Sequence, residues 1–278
     1  MKQTETPARV VDILNQYKDG KKAPCAFRLL RNEEWRQYSA QEYKENCNLI
    51  SYALLHYGVR RGDTIAMIAS SRPEWNMLDM GVMQIGGILL PLDTNLEAEA
   101  YLDILQRANV HILILENKEL LKRFKLLLPQ METLKEIFTI DISNVSESFG
   151  ELLECGRQHA DPEQLKKRMD ILAPDDVCTL VSTSGEEFTP LTHKQMMAKV
   201  AAAANQMSTH DTTTISNAPL YKLDERVKNY AYQYLGHEIT CLPEGQTDAN
   251  PKKSKSSGSS SRSKQMRFFN LLAFHFSF

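Results

Sequence analysis

The sequence predicts an α/β fold in which a parallel sheet is covered by helices on both faces. Four short apolar runs, residues 64–69, 88–92, 111–115 and 136–140, lack polar alternation, as strands buried on both faces do. Between them lie segments with apolar residues at helical spacing, and strand–helix–strand alternation builds parallel sheets through right-handed crossovers.

Each element has its own signals. Residues 9–18 carry Val10, Ile13, Leu14 and Tyr17 at helical spacing, and Gly20 stops the run. Residues 25–30 and 35–38 flank a polar turn at 31–34, which is a hairpin pattern. Ser39 and Glu42 form a capping box for a helix that repeats Tyr43, Cys47, Ile50, Leu54 and Tyr57 and ends at Gly58. Pro73 fits the first position of the next helix, which places Trp75, Leu78, Val82 and Ile85 on its inner face before Gly86 and Gly87. Helices over 96–108 and 118–128 separate the later strands.

Composition bounds the function. The 278 residues are 42% hydrophobic and 24% charged, values of a folded globular chain with length for one large or two ordinary domains. A balance of 33 basic against 35 acidic residues, net −2, argues against a chain-wide nucleic-acid or membrane surface. Cys25, Cys47, Cys155, Cys178 and Cys241 contain no C-x-x-C pair, so neither a zinc site nor a disulfide framework is expected, and the thiols suit a reducing cytoplasm. No apolar stretch follows Lys2, so no signal peptide is read, and no run is long enough to span a bilayer.

The functional signal lies at residues 180–193. A short apolar run breaks into a turn of small residues, Thr183-Ser184-Gly185, and a helix is expected after it from Thr192. Backbone amides, hydroxyls and a helix dipole in that order hold phosphate. Thr183-Ser184-Gly185 with Leu191-Thr192-His193 resembles the two ends of the signature loop of AMP-forming acyl-CoA synthetases, the adenylate-forming (ANL) superfamily, which reads T-S-G-T-T-G-x-P-K-G-V-x-L-T/S-H. The segment between the ends is roughly four residues shorter than that pattern, lacks its lysine and carries Glu186 and Glu187. Residues 35–43, 58–63, 71–75 and 86–92 also resemble segments near the start of long-chain acyl-CoA synthetases. Residues 217–227 resemble a P-L-S-H-x-x-E-R segment, in which Tyr221 and Lys222 replace the serine and the histidine that borders the acyl tunnel.

The resemblance implies a long-chain fatty-acid–CoA ligase ancestry, with ATP, magnesium and CoA as the family's cofactors and a fatty acid as its substrate. It implies a first α/β subdomain over 1–172 and a truncated second subdomain over 173–249 carrying the phosphate loop; residues 250–278 form a basic low-complexity linker and an apolar tail. The second sheet is expected to be incomplete, drawing on residues 177–182, 213–217 and 238–242, with Val200, Ala201, Ala204 and Met207 left uncovered and available for self-association or a protein partner. The tail beside its basic stretch fits an anionic membrane surface, but is read more simply as a non-homologous extension.

Later family segments that supply a magnesium ligand, a ribose contact and a mobile lysine are not found, so the expectation is a remnant ligase, inactive on its own. The alternative is a non-catalytic interaction module on the same scaffold. Thr183, Ser184 and Gly185 are the candidate phosphate contacts, Tyr221 and Lys222 the acyl-site border, and no residue is assigned a catalytic or metal-binding role. His56 and His111 are expected to be packed or hydrogen-bonded, Asp175-Asp176 to form a solvated turn, and His193 to help start a helix, not to act as a base.

Overall fold

A computed structural model describes residues 7–17, 25–31, 34–141, 146–182, 187–207 and 213–242. The four apolar runs form β3 (Thr64–Ile68), β4 (Ile88–Leu92), β5 (Val110–Leu115) and β6 (Glu136–Thr139), all parallel. Successive side chains of a strand point to opposite faces, so one run feeds two cores. Ile65, Met67, Leu89, Ile112 and Ile114 face one core, and Ala66, Ile68, Leu90, Leu113 and Leu115 face the other.

The first core is closed by α1 (Ala40–His56), α2 (Pro73–Gln84) and α5 (Phe149–Gln158), the second by α3 (Ala98–Arg107) and α4 (Lys118–Phe124). The predicted caps are present: Ser39 and Glu42 exchange both bonds of a capping box, and Pro73 opens α2. The first helical segment is a 3-10 helix, Val10–Tyr17. Among the described residues no helix is long and apolar enough to cross a membrane.

Beyond β7 (Glu147–Ser148) and α6 (Pro162–Asp170), β8 (Val177–Ser182) departs from the expected topology. It joins the first sheet, parallel to β4 with Leu89 opposite Thr179, and continues as a hairpin into β9 (Phe188–Thr192). Among the described residues the first sheet therefore has seven strands in the order β7-β6-β5-β3-β4-β8-β9.

Among the described residues the second sheet has four strands, β10-β11-β1-β2, of which β10 (Thr213–Ser216) and β11 (Glu238–Cys241) were foreseen. The N-terminal hairpin of β1 (Cys25–Arg31) and β2 (Glu34–Ser39) supplies the other two, with β1 parallel to β11. The expectation that residues 177–182 serve this sheet is thus corrected. So is the bare helix face: in α7 (His193–Ala204) Val200 and Ala204 are buried, because the helix packs on α8 (Leu223–Leu235) and the main core.

Every residue of α2 is buried, although its apolar spacing marks only one inner face. Its polar residues are met by other elements. Glu74 accepts from Tyr38, Asn76 from Gln233 at 3.0 Å, and Asp79 from Tyr230, while Gln84 accepts from Ser51 and donates to Asn48. Gln233 also accepts from Tyr43 at 2.8 Å. The helix is a buried pin between α1 and α8.

Candidate functional site

Parallel strands of an open α/β sheet end together, and ligands bind in the crevice beyond their carboxyl ends. A crevice of about 330 Å³ lies there, between the ends of β3, β4, β5 and β6 on one side and elements of the second sheet on the other. The residue after each strand run lines it: Ser70 after β3, Asp93 after β4, Glu116 after β5 and Asp141 after β6.

These side chains are fixed to one another. Glu116 accepts from the Ser70 amide at 2.9 Å and the Ser70 hydroxyl at 2.8 Å, which ties β3 to β5. Arg72 donates through Nε to Glu74 and through Nη1 to Asp141, both at 3.0 Å. Burial alone would lower the Arg72 pKa, but the Glu74 and Asp141 carboxylates outweigh it and raise it. Burial likewise pushes Glu74 up, and Arg72 overrides it, holding the carboxyl below its ordinary range.

Two contacts bridge the crevice. The Tyr221 hydroxyl donates to Asp93 Oδ2 at 2.7 Å, and Ser71 and Ser216 hydroxyls meet at 3.0 Å. Lys222 lies at the rim, exposed, with its ammonium 5.9 Å from the Tyr221 ring centre. Tyr221 and Lys222, the two border residues expected from the sequence, are thus brought into the crevice lining together.

Thr183, Ser184 and Gly185 lie outside the described residues, as does Glu186. The described flanks pair as antiparallel strands, with Ser182 opposite Phe188, and the expected helix begins after its Thr192 cap. The five-residue β9 separates the turn from the Thr192 cap of α7.

The other singled-out residues have structural roles. His193 is buried and accepts the Val10 amide at Nδ1, 3.3 Å away; burial above all, with Arg9 assisting, lowers its pKa to about 4. It is a neutral strut between the 3-10 helix and α7. Asp176 accepts the Ala173 amide and pairs with Arg61, while exposed Asp175 lies 3.7 Å from Lys194, which makes this segment a charged turn. His56 differs from its packed expectation: it is exposed and stacks on His159.

The sequence reading missed Asp93, Glu116, Asp141 and Arg72. A usable signal existed, since a polar residue following each buried strand is the position that faces such a crevice.

The sequence profile of AMP-binding enzymes matches residues 15–255. The chain belongs to the AMP-binding enzyme family. Among curated AMP-binding relatives, it is 25% identical over 232 residues to the long-chain-fatty-acid–CoA ligase ACSBG2 of Mus musculus, covering 78% of this chain and 34% of that protein. It is 29% identical over 190 residues to fatty acyl-CoA synthetase A of Dictyostelium discoideum, covering 63% and 28% respectively. The chain therefore spans about a third or less of the length of these relatives.

The AMP-binding fold is also seen in solved structures. A long-chain-fatty-acid–CoA ligase of Archaeoglobus fulgidus superposes with a TM-score of 0.71 at 16% identity, covering 86% of this chain and 48% of that one. An anthranilate CoA ligase in complex with anthranoyl-AMP gives 0.69 at 18% identity, covering 88% and 47%.

Asp93, Glu116 and Asp141 present carboxylates to the crevice, the Arg72 guanidinium is committed to Glu74 and Asp141, and Lys222 adds an exposed ammonium at the rim.

Proposed function

We propose that this domain derives from a long-chain fatty-acid–CoA ligase, whose overall reaction is ATP-dependent acyl adenylation followed by thioester formation, and that by itself it does not adenylate. The observation that carries this reading is the Tyr221–Asp93 bridge in a crevice lined by three carboxylates. At the position where the resemblance puts a serine, the Tyr221 side chain ties the crevice across. Glu186 and Glu187 in a shortened loop without lysine support the same conclusion. ATP, magnesium, CoA and fatty acid are then ligands of the ancestry.

The test is thermal unfolding of purified protein with Mg-ATP at millimolar concentration, together with an acyl-adenylate assay. A ligand at 100 times its dissociation constant stabilises a fold by about 2.7 kcal/mol. We expect no saturable rise in melting temperature and no acyl-adenylate. Either signal overturns the proposal.

A second reading, a non-catalytic interaction module, is favoured by β10. This four-residue strand forms an edge of the second sheet and exposes Ile215, and such edges pair with other chains. Sedimentation at tens of micromolar decides it: a sharp monomer that captures no partner counts against this reading.

A further inference from the structure

Outside the crevice, one cluster has chemistry that the ligase ancestry does not use. α5 lies so close to α1 that a Cβ on Gly156 would sit 2.1 Å from the Leu49 carbonyl oxygen. This contact brings the carboxyl ends of the two helices together. His56, the last residue of α1, stacks on His159, the cap of α5, with ring centres 3.5 Å apart and planes 24° apart. Cys155 stands one turn before His159, its Sγ 3.7 Å from His159 Nδ1.

We propose that His56, Cys155 and His159 form a zinc-binding site. One ligand atom from each lies within 4.8 Å of the others. Zinc bonds of about 2.0–2.3 Å set tetrahedral ligand atoms roughly 3.3–3.7 Å apart, so a contraction of about 1 Å completes the geometry. The histidines are exposed and can rotate to achieve it.

Two further features favour a cation. His159 Nδ1 is 3.0 Å from the Cys155 carbonyl oxygen, which can only accept, so Nδ1 carries the proton and Nε2 keeps its lone pair for a metal. The site also sits at two helix carboxyl ends, where the backbone dipoles are negative, beside Glu147, whose carboxylate accepts from Tyr57. A thiolate with two imidazoles is a borderline-soft donor set that zinc takes, with water at the fourth position. Cys155 is also the accessible thiol, the other four cysteines being buried.

The experiment is calorimetric titration of the chelator-stripped full chain with zinc chloride, and with cobalt chloride as a spectroscopic reporter. One equivalent of zinc is expected, with affinity falling by at least about tenfold in each of Cys155→Ser, His56→Gln and His159→Gln. The cobalt complex should show a thiolate charge-transfer band that disappears in Cys155→Ser. The proposal fails if zinc does not saturate, if Cys155→Ser binds as tightly as the parent, or if the parent's cobalt complex lacks the thiolate band. The last readout needs no variant and stands even if a substitution impairs folding.

Discussion

Replacing His193 with asparagine should change how stability depends on pH, and the size of the change follows from the burial of the ring. His193 has its pKa lowered from 6.5 to about 4, so between those values the unfolded chain binds a proton that the folded chain excludes. Stability from the neutral ring is therefore complete above pH 6.5 and is lost as the pH falls toward 4. A gap of about 2.5 on the pH scale, at 1.36 kcal/mol each, amounts to about 3 kcal/mol. Asp79 acts oppositely: burial raises its pKa from 3.8 to about 6 against Arg226 and Tyr230, so its folded form binds the extra proton and gains stability over nearly the same interval as the pH falls. These two contributions nearly cancel in the parent, and the difference between parent and variant isolates the ring. His193→Asn keeps an acceptor for the Val10 amide and should cost about 1–2 kcal/mol at pH 7. Urea unfolding at pH 7, 6, 5 and 4 should show this deficit shrinking and reversing by pH 4. A deficit that stays constant across the four pH values would refute the argument that the ring is held neutral.

Arg72→Met should destabilise by about 3–5 kcal/mol, since it leaves buried Glu74 charged without its cation, and adding Glu74→Gln should recover part of the loss in denaturant unfolding. Gly156→Ala should cost about 1–3 kcal/mol by forcing α5 off the Leu49 backbone, despite alanine's better helix propensity; a higher melting temperature would contradict the close approach. Thr192→Ala removes the hydroxyl that accepts the Gln195 amide at 3.2 Å and should cost about 1 kcal/mol, with the loss visible as faster hydrogen exchange in the first turn of α7.

The apolar strands and capped helices were legible because their signals are local. Unbroken runs such as residues 111–115 and boxes such as Ser39 with Glu42 each specify an element within a few residues. Sheet membership was not legible for β8, because a buried strand looks alike in either sheet. Its place is set by pairing with β4 and by the Thr179 hydroxyl donating to the Leu89 carbonyl, ninety residues earlier. The burial of the polar side of α2 was not legible for the same reason: Tyr38, Tyr230 and Gln233, which cover it, are distant in sequence. In the crevice, Tyr221 and Lys222 came from resemblance, whereas Asp93 became visible only once the strands were aligned at their ends.

The burial of α2 bears on how the chain is made. As synthesis proceeds, residues 73–84 leave the ribosome well before residues 223–235, which bring Tyr230 and Gln233 to Asp79 and Asn76. Until then a helix with polar groups on its outer side faces a half-built interior, and those groups must stay wet. α8 therefore closes the first half from behind, and a chain stopped near residue 207 should remain open to proteases along α2, although the segments needed for its parallel sheet are present.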